Sequence, residues 1–164
     1  MNEISRIASL LEAEHAGEPW HGSPLSEILQ GITHTQAAAR PIAGGHTIWE
    51  LVLHLAAWKN EARRRLAGGE AAEPLEGDWP EVGALTPTRW TEALAHLELA
   101  HRLLMSAVKG FPEANLFAPT NDKRHADQAL TPTYYELLHG LVQHDVYHAG
   151  QIAILTRAGS TRPT

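Results

Sequence analysis

His144 and His148 stand four residues apart in the run His144-Asp145-Val146-Tyr147-His148. On a helix, positions four apart lie about 40° apart around the axis and one turn along it. Two imidazoles so placed can converge on one metal ion, as they do in the HExxH motif. The pair also continues a seam. Leu138, Leu141, His144, His148, Gln151 and Leu155 recur at helical spacing, so two histidines and a glutamine interrupt an apolar stripe where core residues belong. Burying such groups without partners costs about 1–3 kcal/mol each, an objection that a bound metal removes. The plainer alternative is a pair of hydrogen-bonded core histidines.

A protease of the HExxH type fits poorly. Asp145 occupies the glutamate position one methylene too short, and residues 149–164 contain no His, Asp or Glu to act as a downstream third ligand. A third ligand must come from upstream. Two histidines there sit on apolar stripes: His54 among Leu51, Leu55 and Trp58, and His101 between Leu97 and Leu104. Periodicity does not choose between them, although His54 has the more apolar surroundings. The others read as solvated or locally hydrogen-bonded side chains. His15, His21, His34 and His125 fall at helix ends or in loops, His96 and His139 point off their stripes, and His46 sits at a helix start.

Four long amphipathic segments must position these residues. The first runs from about Asn2 to His15 and stops at Ala16-Gly17-Glu18-Pro19. The second starts near His46 or Thr47 and ends at Gly68-Gly69. The third opens with Thr86-Pro87, a cap followed by proline at the first helical position, and the fourth with Thr131-Pro132, closing at Gly159. Ser23-Pro24 and Thr33 cap two shorter helical pieces between the first two. No segment alternates like a strand. The expected fold is an all-α four-helix bundle, with short extra helices between helices 1 and 2, forming one domain over residues 1–164. Loops near 68–86 and 110–131 are long enough to serve as lids or binding loops.

Composition narrows the partners. There are 13 Lys and Arg against 19 Asp and Glu, a formal charge of −6, which argues against nucleic acid or an anionic membrane as partner. No apolar run approaches the ~20 residues of a membrane span. The segment Met1–Arg6 carries charges where a signal peptide would be apolar, so a cytoplasmic location is expected. The chain has no cysteine, which excludes disulfides, thiolate ligands, iron–sulfur clusters and a cysteine nucleophile. It has eleven histidines, nearly as many as the 13 Lys and Arg together.

The run Trp49-Glu50-Leu51-Val52-Leu53-His54-Leu55-Ala56-Ala57-Trp58, followed by His144-Asp145-Val146-Tyr147-His148-Ala149-Gly150-Gln151-Ile152, resembles the DinB/YfiT-like superfamily of metal-binding four-helix bundles. The segment Pro41–His46 before the second long helix fits as well. By that resemblance the metal ligands are His54, His144 and His148, which leaves His101 a core or pocket residue. The resemblance implies one divalent transition metal, with zinc or nickel ahead of iron or manganese, in a three-imidazole site of the catalytic kind. Relatives include transferases and isomerases that use low-molecular-weight thiols such as bacillithiol or mycothiol, and also hydrolases. A metal-dependent enzyme of the thiol-dependent transferase or isomerase type, acting on a small molecule, is therefore expected. The alternatives are a metal-dependent hydrolase and a non-catalytic metal-binding or stress-response dimer.

Other residues carry weaker expectations. Glu50, four before His54, could orient an imidazole or act as a base, and Gln151 could hydrogen-bond bound water; these two are the catalytic candidates. Asp145 and Tyr147 project away from the ligand pair, toward helix packing or a dimer contact. Arg157 complements the dipole at the end of the last helix. Trp20, His21 and Trp79 lie in loops, where aromatics mark a ligand mouth. A homodimer is expected, with Trp58, Trp90 and extra leucines leaving apolar area to cover.

Overall fold

The computed structural model describes residues 2–124 and 130–160; His125 lies outside them. The described residues form α1 (Glu3–Ala16), α2 (Leu25–Leu29), α3 (His34–Ala38), α4 (Ile48–Leu66), α5 (Pro87–Lys109) and α6 (Tyr134–Ser160), with a 3-10 turn at Glu113–Asn115. No strand occurs among them, and no described helix is long and apolar enough to cross a membrane. The all-α expectation is met.

Local chemistry sets most of the boundaries. Asn2 accepts from the Ser5 amide at the start of α1, and Thr86 accepts from the Arg89 amide above Pro87 in α5. Thr33 with Gln36, and Thr47 with Glu50, form reciprocal capping boxes for α3 and α4. Gly68, at φ +85°, takes the left-handed conformation that stops α4.

The start of α6 is a correction. The helix begins at Tyr134 and not at Thr131-Pro132. The Pro132 carbonyl is taken by the Thr120 amide and hydroxyl, both at 2.8 Å. Thr133 supplies the cap, exchanging bonds of 2.7 and 3.2 Å with Glu136. The first free amides of the helix, on Tyr134 and Tyr135, donate to Ala118 and Leu116 of the preceding loop. Tertiary pairing with residues 116–120 thus overrides the Thr-Pro signal.

In the bundle, α4 packs against α5 and α6, and α1 packs against the same two helices; α2 lies on α1 and α6, and α3 on α4 and α5. The core divides in two. One apolar cluster joins α2 and α3 to Ile48–Ala56, Trp90–Ala100 and Ala149–Leu155, and the other joins α1 to Ala62, Leu104–Val108 and Leu138–Leu141. Where each long helix passes from one cluster to the other, or leaves the second, it buries a polar side chain. These are Glu14 and His15 on α1, Lys59 on α4, His101 on α5 and Asp145 on α6. His15 is therefore not a solvated helix-end side chain, because α5 packs over it. Its ring stacks on His101 at 3.7 Å between centroids, and its Nε2 lies 2.8 Å from Glu98. Trp90 is also covered by its own chain, its indole N–H donating to Ile32 at 2.7 Å, and contributes no free apolar surface for a dimer.

This layer makes stability depend on pH. Burial pushes the His101 imidazole down to about 3, with His15 and the Lys59 ammonium acting in the same direction. Burial also lowers His15 against the pull of Glu98, whereas it raises the carboxyl of Glu14 against that of His21. An imidazole whose pKa falls on folding stabilises the folded chain above its unfolded pKa of ~6.5, and that stability is lost as pH drops toward the folded value. Glu14 has the opposite sign, so a comparison with His101→Leu isolates the histidine. Urea unfolding at about pH 7.5 and about pH 4.5 should show the difference between wild type and variant moving by roughly 2–3 kcal/mol in favour of the variant at the lower pH. Parallel pH profiles would show that His101 is not held neutral.

Candidate metal centre

The second turn of α4 and the middle of α6 bring His54, His144 and His148 together. One ligand atom from each lies within 4.8 Å of the others. The ring centroids are 5.0 Å apart for His54 and His144, 4.7 Å for His54 and His148, and 4.5 Å for His144 and His148. His101 is not in the group; it belongs to the stacked pair with His15.

Hydrogen bonds decide which nitrogens are free. His54 Nδ1 donates to the Asp78 carbonyl at 2.6 Å, and His148 Nδ1 donates to Gln151 Oε1 at 2.8 Å. Both rings therefore keep a lone pair on Nε2. His54 Nε2 faces His144 Nε2 at 3.0 Å, and two ring nitrogens that close need either a shared proton or a shared cation. Burial lowers the pKa of His54 against the Asp78 bond, and lowers His148 to about 4 against the Gln151 bond. Both are neutral imidazoles at physiological pH. A cluster of imidazole nitrogens at this separation suits a borderline divalent ion, whose ligands at about 2.0–2.1 Å lie a little over 3 Å from one another.

The loop between α4 and α5 closes over this cluster. Trp79 stacks on His54 at 4.0 Å and on His46 at 3.4 Å, with its edge 6.2 Å from His148. Asp78 also accepts from the Trp58 indole at 2.8 Å, which ties the loop to α4. Trp79 thus roofs the site, and His46, set aside as a helix-start residue, braces that roof. Trp20 is fully exposed, and His21 binds the buried Glu14. A cleft of about 430 Å³ is lined by His144 together with Trp58, Leu137, Gly140, Leu141, Arg65 and Glu136.

The structure places Glu50 in the α4 capping box, 2.7 Å from the Thr47 amide and 2.6 Å from Arg40. Burial would raise its carboxyl, but the Thr47 and Arg40 bonds hold it below the ordinary range. Gln151 meets the site through His148. Asp145 projects into helix packing, where it pairs with Lys59 of α4, while Tyr147 is exposed. Burial would raise the Asp145 carboxyl, but the Lys59 ammonium, with His144, holds it low. Asp78 and Lys59 were missed from the sequence. Asp78 lies in a loop without periodicity, but Lys59 had a signal, a charge four residues after Leu55 on the same stripe.

Comparison with curated proteins and with solved structures returned no match. The family model of the DinB superfamily matches residues 20–152, a span that includes all three clustered histidines. With a helical bundle around a three-histidine cluster of this kind, the chain belongs to the DinB superfamily.

Proposed function

We propose that this protein is a divalent-metal-dependent enzyme that joins a low-molecular-weight thiol to a small, largely apolar electrophile. The observation that supports it is the adjacency of the trio to the cleft, with His144 in the wall of both. His54, His144 and His148 would hold the ion, zinc or nickel by ligand type. When bound, it supplies Lewis-acid chemistry, favouring the deprotonated form of a thiol or water at neutral pH. With no cysteine in the chain, the reacting sulfur has to arrive on a cosubstrate.

The chain's own residues bind and orient. Asp78 and Gln151 fix two imidazole tautomers, and Trp79 shields them from water on one side. Both charged residues at the cleft are already engaged. Arg65 binds Glu61 at 2.8 Å and Glu136 caps Thr133, so the cleft favours a neutral apolar group.

Metal-loaded protein should conjugate a model electrophile only when a small thiol is added. Gly140→Leu tests the cleft, since a Cβ at Gly140 meets nothing within 4 Å and the longer side chain would occupy the space beside His144. It should raise KM for the electrophile while leaving the metal bound. Turnover with water alone would establish a hydrolase instead, and inactivity with every thiol would favour the non-catalytic metal-binding or stress-response alternative.

A further inference from the structure

Each imidazole of the trio has a second nitrogen to satisfy, and the three do so unequally. His148 directs Nδ1 at the Gln151 amide oxygen, and His54 directs it at the Asp78 carbonyl, with the Asp78 carboxylate 3.4 Å away. His144 Nδ1 is buried and has no hydrogen-bond partner among the described residues. Beside it, 3.7 Å away, is Asp145 Oδ1, which is also buried and also lacks a partner. The other carboxylate oxygen of Asp145 is bound by the ammonium of Lys59, whose side chain is 0% exposed. A buried donor site and a buried acceptor that lie just beyond bonding distance, both otherwise unpaired, each bear a desolvation cost that a hydrogen bond between them would remove.

We infer that Asp145 is a positioning residue for His144, accepting a hydrogen bond from its Nδ1 when Nε2 is engaged by an ion. This rests on the reading of the trio as a metal site. An ion on Nε2 places the ring proton on Nδ1, and the carboxylate is the acceptor that meets it there. Lys59 anchors the carboxylate from α4, the helix that carries His54, so the α4–α6 contact and the ligand geometry are set by the same pair. A carboxylate acceptor makes an imidazole more basic than a carbonyl acceptor does. His144 is then a stronger ligand than His148, whose Nδ1 meets only a neutral amide oxygen.

The test uses the full chain and zinc. The double variant Asp145→Asn/Lys59→Met removes the carboxylate without leaving a buried ammonium unpaired. Its zinc affinity, measured by chelator competition, should fall roughly 10–100-fold. Glu14→Gln, a change in the same buried layer, should keep wild-type affinity. In imidazole ¹H–¹⁵N spectra of the zinc-loaded wild type, the His144 Nδ1 proton should be strongly downfield, and it should move upfield in the double variant. Equal zinc affinity of wild type and double variant, or a wild-type His144 without an Nδ1 proton, would overturn the role of Asp145 alone. Failure of the wild type to bind zinc, nickel or any other divalent ion would overturn the metal site and this role together. The wild-type spectrum decides the point even where a variant does not fold.

Discussion

Alanine at His54, His144 or His148 should each strip most of the bound divalent ion from protein purified without an affinity tag. Every one of these imidazoles offers a nitrogen to the same point. Losing a ligand outright should weaken binding by more than the roughly 10–100-fold typical of losing a ligand's hydrogen-bond partner. His96→Ala and His139→Ala should retain the ion, because neither residue is in the cluster. Elemental analysis of the five variants against wild type gives the answer, and full occupancy in His54→Ala would remove α4 from the site. The pH dependence sharpens it. Protons take an ordinary imidazole away from a metal around pH ~6.5. Burial holds His148 down at about 4 and lowers His54 as well, so metal release on acidification should be centred below that ordinary value.

Replacing Lys59 by methionine should be among the most damaging single changes outside the site. Lys59 and Asp145 are both almost wholly buried, and they are each other's ionic partner. Breaking a buried pair by removing one member leaves an uncompensated charge and costs about 3–5 kcal/mol. For a chain of this length that corresponds to a fall of roughly 6–20 °C in Tm. Adding Asp145→Asn to Lys59→Met removes the stranded carboxylate and should recover a large part of the loss. A single variant as stable as wild type in urea would mean that water reaches the pair. Read beside zinc affinity, the cycle separates the two roles of Asp145: the double change should restore stability without restoring binding.

Some features were legible because they are local. Thr33, Thr47 and Thr86 announce helix starts through capping patterns spanning three residues, and each works as those patterns imply. The Thr131-Pro132 signal failed because its carbonyl was claimed from across a loop. His15 falls at a helix end in the sequence, but α5 supplied His101 and Glu98 to cover it. Helical spacing directs Asp145 away from the ligand pair, yet one of its oxygens lies 3.7 Å from His144 Nδ1 and the other meets a partner 86 residues distant in sequence.

The sequence by itself determined the helices, their apolar stripes and the spacing of His144 and His148, because periodicity, caps and i,i+4 geometry act within one or two turns. The likeness to a known family added His54, which periodicity alone did not separate from His101. Only the tertiary structure decided the environment of those histidines: Trp79 and Asp78 on His54, Gln151 on His148, the cleft beside His144, and the Lys59–Asp145 pair beneath it. Those contacts depend on which faces of α4, α5 and α6 meet and on how the loop after α4 folds back, and a one-dimensional pattern carries no record of either.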